Sequence, residues 1–138
     1  MINSSHGIAD SLDFLAEEPD LLLAIIFGSA ADGSQRPDSD LDLAVYCRSH
    51  MGPILRQKLS DDIAVKTGRT VDLIDLSKAN GALLRQVLRS GQVLFDKSPG
   101  ILGTLTARLL AWQEDFEPQL NGLLQSRLER FTSSHHGS

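Results

Sequence analysis

The sequence lacks the features of a disulfide-stabilised, secreted or membrane-spanning protein. Cys47 is the only cysteine, so no internal disulfide can form, which is typical of a reducing compartment. The longest apolar run, Leu21 to Phe27, is far shorter than the about 20 residues that cross a bilayer. Residues 1–18 contain acidic side chains but no Lys or Arg, unlike a signal peptide. We therefore expect a cytoplasmic protein without membrane contact.

An excess of positive charge is also lacking. The chain has 13 Lys and Arg against 18 Asp and Glu, a net charge of -5. Broad binding to nucleic acid phosphates is therefore not expected. With 138 residues, of which 41% are hydrophobic and 22% charged, the composition is that of a folded globular domain. We predict a single domain over residues 1–138, with a core at about 8–96 and a helical part at about 99–131.

Apolar periodicity predicts alternating helices and strands, hence an α/β (α+β) protein. Predicted strands are Leu21–Phe27, Leu41–Cys47, Thr70–Leu76 and Gln92–Phe95. Predicted helices cover residues 8–18, residues 53–67 before Gly68, and a segment from an N-cap at Ser77 to Gly91.

The last third of the chain carries a continuous apolar stripe at helical spacing, from Ile101 to Leu123. Pro118 lies within it and should kink or split the helix. The stripe has two interpretations. It can close the protein's own core, with Trp112 as a packing residue, or part of it can bind a helix of a partner or of a second copy in a homodimer.

Two aspartates at the start of the second predicted strand indicate a metal site. Side chains two residues apart on a strand point the same way, so Asp40 and Asp42 should project from one face. Adjacent carboxylates repel each other unless a cation lies between them. Mg²⁺ binds one or two carboxylates together with phosphate oxygens. An Asp-x-Asp pair alone is more often a solvated strand edge, so the surrounding pattern must carry the argument.

That pattern includes a small turn and a third aspartate. Gly28 and Ser29 follow the first strand, where a backbone without Cβ and a hydroxyl donor suit a phosphate. Asp72 lies in the third strand, and strand pairing could bring it beside Asp40 and Asp42. Asp75, three residues later, should face the opposite side.

The combination resembles the minimal nucleotidyltransferase (MNT) family of the polymerase-β-like superfamily. The family's Gly-Ser, ten residues and Asp-x-Asp are matched by Gly28, Ser29, Asp40 and Asp42, and Asp72 matches its third acidic position. Two further positions also match the pattern, Gly33 and Ser39. The resemblance covers roughly residues 8 to 96 and implies a small mixed β-sheet flanked by helices. It departs at Ala30 and Asp32, where relatives often carry arginine or lysine.

The resemblance implies a mechanism. Asp40, Asp42 and Asp72 would hold two Mg²⁺ ions around ATP, and Asp72 would help to deprotonate the attacking hydroxyl. Gly28, Ser29 and Ser39 would bind the nucleotide.

Short stand-alone members of the family resemble the antitoxin of HEPN–MNT toxin–antitoxin pairs, which transfers AMP from ATP to a tyrosine of its ribonuclease toxin. A HEPN-type ribonuclease is therefore the expected partner. Two alternatives remain at this point: transfer to the hydroxyl of a small molecule, and a non-catalytic antitoxin that acts by occlusion.

Overall fold

The structure is a computed structural model that describes residues 4–28 and 40–115. In chain order the elements are α1 (Ser4–Ser11), a 3₁₀ helix (Asp13–Glu17), β1 (Leu21–Phe27), β2 (Leu41–Cys47), α2 (Pro53–Thr67), β3 (Val71–Asp75), α3 (Gly81–Ser90), β4 (Gln92–Asp96) and α4 (Gly100–Asp115). None of the helices within these ranges is both long and apolar enough to cross a membrane.

The four strands form one mixed sheet in the order β3-β2-β1-β4. β1 lies in the interior and pairs antiparallel with both β2 and β4. β2 pairs in parallel with β3. The apolar run of β1 follows from this position, because a central strand covered on both faces buries nearly every side chain. The expected small mixed sheet flanked by helices is confirmed.

Each face of the sheet is covered by its own hydrophobic core. On one face, odd-numbered residues of β2 such as Leu41 and Leu43 pack with Leu12, Leu59 and Ile63 of the N-terminal segment and α2. The second core is built from β1, β2, α3 and α4, and includes Leu23, Ile25, Phe27, Ala44, Leu84, Val87 and Leu105. Even-numbered residues of β2 therefore point toward the α3–α4 side.

Arg108 of α4 fixes the loop between β3 and α3. Its Nη1 lies 3.0 Å from the carbonyl oxygen of Leu76, 3.3 Å from that of Ser77 and 2.9 Å from that of Ala79. One guanidinium thus donates to three backbone carbonyl groups of this loop.

Two sequence predictions are wrong. The helix expected over residues 8–18 is instead α1 followed by the 3₁₀ helix, with a junction at Leu12 that buries both Leu12 and Leu15. Ser77 is not the N-cap of α3, which is Asn80. The Ser77 hydroxyl donates to Asp75 instead, at 2.7 Å. The segment around Pro118 lies outside the described residues.

Candidate active site

Strand register brings Asp42 and Asp72 side by side. In the antiparallel β1–β2 pair, Phe27 is opposite Asp42. In the parallel β2–β3 pair, Asp42 is opposite Asp72. Paired residues on neighbouring strands point to the same face of a sheet. The two carboxylates therefore share the α3–α4 face, at the end of the sheet where β1 finishes and where β2 and β3 begin.

Gly28 follows the last residue of β1 and lies at this end of the sheet. Its φ angle is +74°, in the left-handed region that favours glycine. A Cβ at this position would overlap Asp42 Oδ2. The sequence predicted that the missing Cβ makes room for a phosphate. The structure gives a further reason for glycine, because the backbone of Gly28 lies directly against the Asp42 carboxylate.

The carboxyl of Asp42 lies in an environment that disfavours its negative charge. Burial raises the pKa of its carboxyl above the usual value, and the negative charges of Asp72 and then Asp40 raise it further. Asp42 is half-buried, while Asp40 and Asp72 are exposed. Asp40 and Asp72 are therefore both close enough to act on the carboxyl of Asp42.

Thr70 is a member of this cluster that sequence reasoning missed. Its hydroxyl donates to Asp40 Oδ1, and its carbonyl accepts from the Leu41 N–H at 3.0 Å. Thr70 precedes Asp72 by two residues, so both side chains leave β3 toward the same face. The two-residue spacing between Thr70 and Asp72 is visible in the sequence, but it indicates a contact with Asp40 only when the β2–β3 register is known.

The acidic cluster fits a hard divalent cation, although it is not a ready-made cage. Among residues 4–28 and 40–115, no three His, Cys, Asp or Glu side chains converge closely enough to enclose a metal. Mg²⁺ does not require such a cage, since it commonly keeps waters and binds one or two carboxylates plus substrate phosphates. Besides burial, the negative charges of Asp72 and Asp40 raise the pKa of Asp42, and a bound cation would remove that repulsion. The donor set is thus oxygen-only and negatively charged, as Mg²⁺ prefers.

Ser29 and Ser39, the two hydroxyls expected to bind the nucleotide, lie outside the described residues, as do Ala30, Asp32 and Gly33. Their roles remain predictions.

Asp75, which the sequence placed on the opposite side of its strand, and Cys47 both lie away from the acidic cluster. Asp75 pairs with Val45, whose side chain belongs to the opposite face of the sheet. Cys47 is buried, and burial, assisted by the charge of Asp75, raises the pKa of its thiol to about 11. A thiol of this kind is a packing group and a poor nucleophile at neutral pH.

Trp112 of α4 packs against the start of α3. An ideal Cβ on Gly81 would lie 3.4 Å from the indole ring, and the Arg85 guanidinium lies 5.9 Å from the ring centroid. Trp112 therefore joins the two helices and is half-buried between them.

Comparisons with known proteins identify a family and several relatives. The profile of the family described as polymerase beta, nucleotidyltransferase, matches residues 12–100. The protein adenylyltransferase MntA of Shewanella oneidensis is 36% identical over 77 residues, which are 56% of this chain and 55% of MntA. The chain thus spans about half the length of this curated relative.

Solved structures show the same fold. A chain from the crystal structure of a toxin–antitoxin complex with AMP-PNP matches with a TM-score of 0.69 at 24% identity, over 87% of this chain and 98% of the other. A chain from the tri-AMPylated Shewanella oneidensis HEPN toxin in complex with MNT antitoxin matches with a TM-score of 0.65 at 21% identity, over 90% and 98%.

Proposed function

The chain belongs to the polymerase-β nucleotidyltransferase family, and from this premise we propose that it transfers AMP from ATP to a tyrosine of a HEPN-type ribonuclease toxin. The observation that carries the proposal is the register that sets Asp42 opposite Asp72, with the Gly28 backbone against Asp42 Oδ2. This arrangement presents negatively charged oxygens on an open face beside a turn without a side chain. It suits the triphosphate of a nucleotide with its cation.

In the proposed site, Asp40, Asp42 and Asp72 hold Mg²⁺, and two ions are expected. When bound, Mg²⁺ would neutralise charge on the phosphates and lower the pKa of the attacking hydroxyl. Asp40 and Asp42 supply carboxylate oxygens from the same end of β2. Gly28 leaves the space beside Asp42 free of a side chain, and Ser29 and Ser39 add hydroxyl donors to the nucleotide.

The proposed reaction is an in-line displacement at the α-phosphorus of ATP. The tyrosine oxygen forms a new bond to the α-phosphorus, and the bond from that phosphorus to the oxygen of the β-phosphate breaks. Pyrophosphate leaves, and Asp72 accepts the tyrosine proton. Asp72 is suited to this role because it is exposed at the edge strand of the sheet, where an incoming hydroxyl can approach it. Positioning and charge compensation carry most of the catalysis in such transfers.

The choice of acceptor rests on the relatives. MntA is named a protein adenylyltransferase, and one structural neighbour comes from a complex with a tri-AMPylated HEPN toxin. The net charge of -5 suits a partner with a basic RNA-binding surface. A transferred AMP would add negative charge to that surface and oppose RNA binding. ATP and such a toxin would be met in the cytoplasm.

Co-expression with a HEPN-type ribonuclease tests the proposal. We expect the two proteins to co-purify and the intact mass of the ribonuclease to increase by one or more AMP groups. The same experiment with Asp42→Asn should give an unmodified ribonuclease. Mass spectrometry after digestion should locate the AMP on a tyrosine.

The alternatives give different results in that experiment. A ribonuclease that is neutralised but unmodified, even by the wild-type protein, would favour occlusion. Failure of the two proteins to bind, together with labelled AMP on a hydroxylated small molecule, would favour the small-molecule enzyme. Light scattering of the purified protein alone distinguishes a monomer from the homodimer that an apolar α4 surface could form, since Leu110 on that helix is 55% exposed.

A further inference from the structure

Asp40 and Asp42, at the start of β2, are held in place by different means. Asp42 lies within the sheet ladder, between Phe27 of β1 and Asp72 of β3, and the Gly28 backbone limits its side chain from a third direction. Asp40 precedes the first residue of β2 and is exposed. The ladder therefore fixes the direction of Asp42 but leaves the carboxylate of Asp40 to other contacts.

Thr70 supplies that contact from both its side chain and its backbone. The hydroxyl donates to Asp40 Oδ1, while the Thr70 carbonyl accepts the N–H of Leu41, the next residue, at 3.0 Å. The same residue thus holds both the backbone next to Asp40 and one oxygen of its carboxylate. A hydroxyl bond to one oxygen leaves Oδ2 for a cation.

The β2–β3 register makes the comparison between the two aspartates direct. Asp42 is opposite Asp72, an anion, whereas Asp40 is adjacent to Thr70, a neutral donor. A carboxylate at position 70 would add a fourth negative charge, and an apolar side chain would remove this hydrogen bond to Asp40. A hydroxyl orients the ligand without adding charge.

We propose that Thr70 is a positioning residue of the metal site, which orients Asp40 so that its free oxygen faces the cation. The inference rests on the proposed function, because it requires that Asp40 and Asp42 bind a divalent cation. Thr70 acts through Asp40 and does not itself contact the metal. Hydrogen-bond partners of metal ligands typically contribute about 10–100-fold to metal affinity, so loss of the Thr70 hydroxyl should have a measurable effect.

Matched substitutions at one exposed position test the inference. Thr70→Val keeps the size and β-branching of threonine but removes the hydroxyl, whereas Thr70→Ser keeps the hydroxyl and removes the methyl group. Binding of Mn²⁺ in the presence of AMP-PNP, followed by electron paramagnetic resonance, gives a readout that does not depend on transfer activity. We expect Thr70→Val to weaken Mn²⁺ binding about tenfold and Thr70→Ser to bind like the wild type.

Asp42→Asn separates failure of this inference from failure of the proposed function. If Asp42→Asn loses Mn²⁺ binding but Thr70→Val binds like the wild type, Thr70 has no positioning role and the metal site stands. If the wild type and Asp42→Asn bind equally weakly, the metal site itself is wrong, and the inference falls with it.

Two further results would overturn the role of the hydroxyl. If Thr70→Ser and Thr70→Val weaken Mn²⁺ binding equally, the effect comes from packing. If Thr70→Val binds Mn²⁺ more tightly than the wild type, the hydroxyl competes with the cation. Thermal unfolding without metal checks that each variant is folded. Thr70→Ala replaces Thr70→Val in the comparison if the valine variant does not fold.

Discussion

The two aspartates of β3 lie in different surroundings. Asp72, near the start of the strand, belongs to the candidate site, whereas Asp75, at its end, belongs to a turn. Asp75, the last residue of β3, accepts from the Ser77 N–H at 3.0 Å and from the Ser77 hydroxyl at 2.7 Å. Asp72, the second residue of the strand, is opposite the carboxylate of Asp42. The charge of Asp75 is compensated locally by its own turn. That of Asp72 faces a like charge, and a cation or a proton is needed to remove the repulsion.

The same contrast separates two glycines. Gly28 and Gly68 both have φ = +74°. Among the described residues, apart from its own chain neighbours, nothing lies within 4 Å of a Cβ placed on Gly68, whereas a Cβ on Gly28 would overlap Asp42 Oδ2. Gly68 serves only the end of α2, since its N–H donates to the Ala64 carbonyl at 2.8 Å. Both positions thus favour glycine because of their left-handed backbone. At Gly28 the Asp42 carboxylate also leaves no room for a Cβ.

The largest expected effect distinguishes the two aspartates of β3. Asp72→Asn removes the proposed proton acceptor and a metal ligand, so AMP transfer should fall by about a hundredfold or more. Asp75→Ala removes a turn acceptor and should lower the free energy of unfolding by about 1–2 kcal/mol with little effect on transfer. Transfer rates and urea unfolding curves of both variants make the check. A folded Asp75→Ala variant without transfer activity would contradict the separation.

The second effect distinguishes the two glycines. Gly68→Ala places alanine in the left-handed region and should lower the free energy of unfolding by about 1–2 kcal/mol. Gly28→Ala carries the same backbone cost plus the overlap with Asp42, and should lose about 1–3 kcal/mol more. Chemical denaturation of both variants measures the difference.

A double-mutant cycle sharpens the result. If the extra loss in Gly28→Ala comes from the Asp42 carboxylate, then adding Asp42→Ala should recover most of it. The effects of Asp42→Ala and Gly68→Ala on the free energy of unfolding should instead be additive. An extra loss that persists without the carboxylate would assign it to the backbone alone.

Most of the fold was predictable because apolar pattern and turn chemistry agree locally. The strands Leu21–Phe27 and Leu41–Cys47 and the helix ending before Gly68 have the expected bounds. The first helix was predicted wrongly because Leu12 and Leu15 keep helical spacing in both an α-helix and a 3₁₀ helix. Ser77 was misassigned because a serine after a strand suits a turn as well as an N-cap, and Asp75 decides for the turn.

The site was predictable only in part. Alternation along β2 separates Asp42 from Leu41 and Leu43 without any knowledge of the fold. The pairing of Asp42 with Asp72 and the Thr70–Asp40 hydrogen bond depend on the β2–β3 register, which involves residues about 30 positions apart. A single sequence contains no direct record of such pairing.

The smallest expected effect concerns pH and sharpens the contrast at Asp42. Burial and the neighbouring charges of Asp72 and Asp40 raise the pKa of the folded-state carboxyl. Above that pKa the folded protein carries a repulsion that the unfolded chain lacks, and below the unfolded value of about 3.9 neither state does. Without metal, Asp42→Asn should therefore be slightly more stable than the wild type at pH 7. The advantage should shrink as the pH falls through the folded-state pKa and vanish near the unfolded one.

Thermal unfolding of both proteins across this pH range, in a chelating buffer, measures the difference. Asp75→Asn is the control, because it also removes one negative charge from the β-sheet, but at the opposite end of β3, and it keeps an acceptor for Ser77. The difference in thermal stability between Asp75→Asn and the wild type should not show the pH dependence expected for Asp42→Asn. Addition of Mg²⁺ and AMP-PNP should reverse the order at pH 7, since a ligand that binds only the folded wild type stabilises it. An Asp42→Asn variant that is less stable at pH 7 without metal would show that hydrogen bonding to Asp42 outweighs the repulsion, and that its carboxylate is compensated within the chain as Asp75 is.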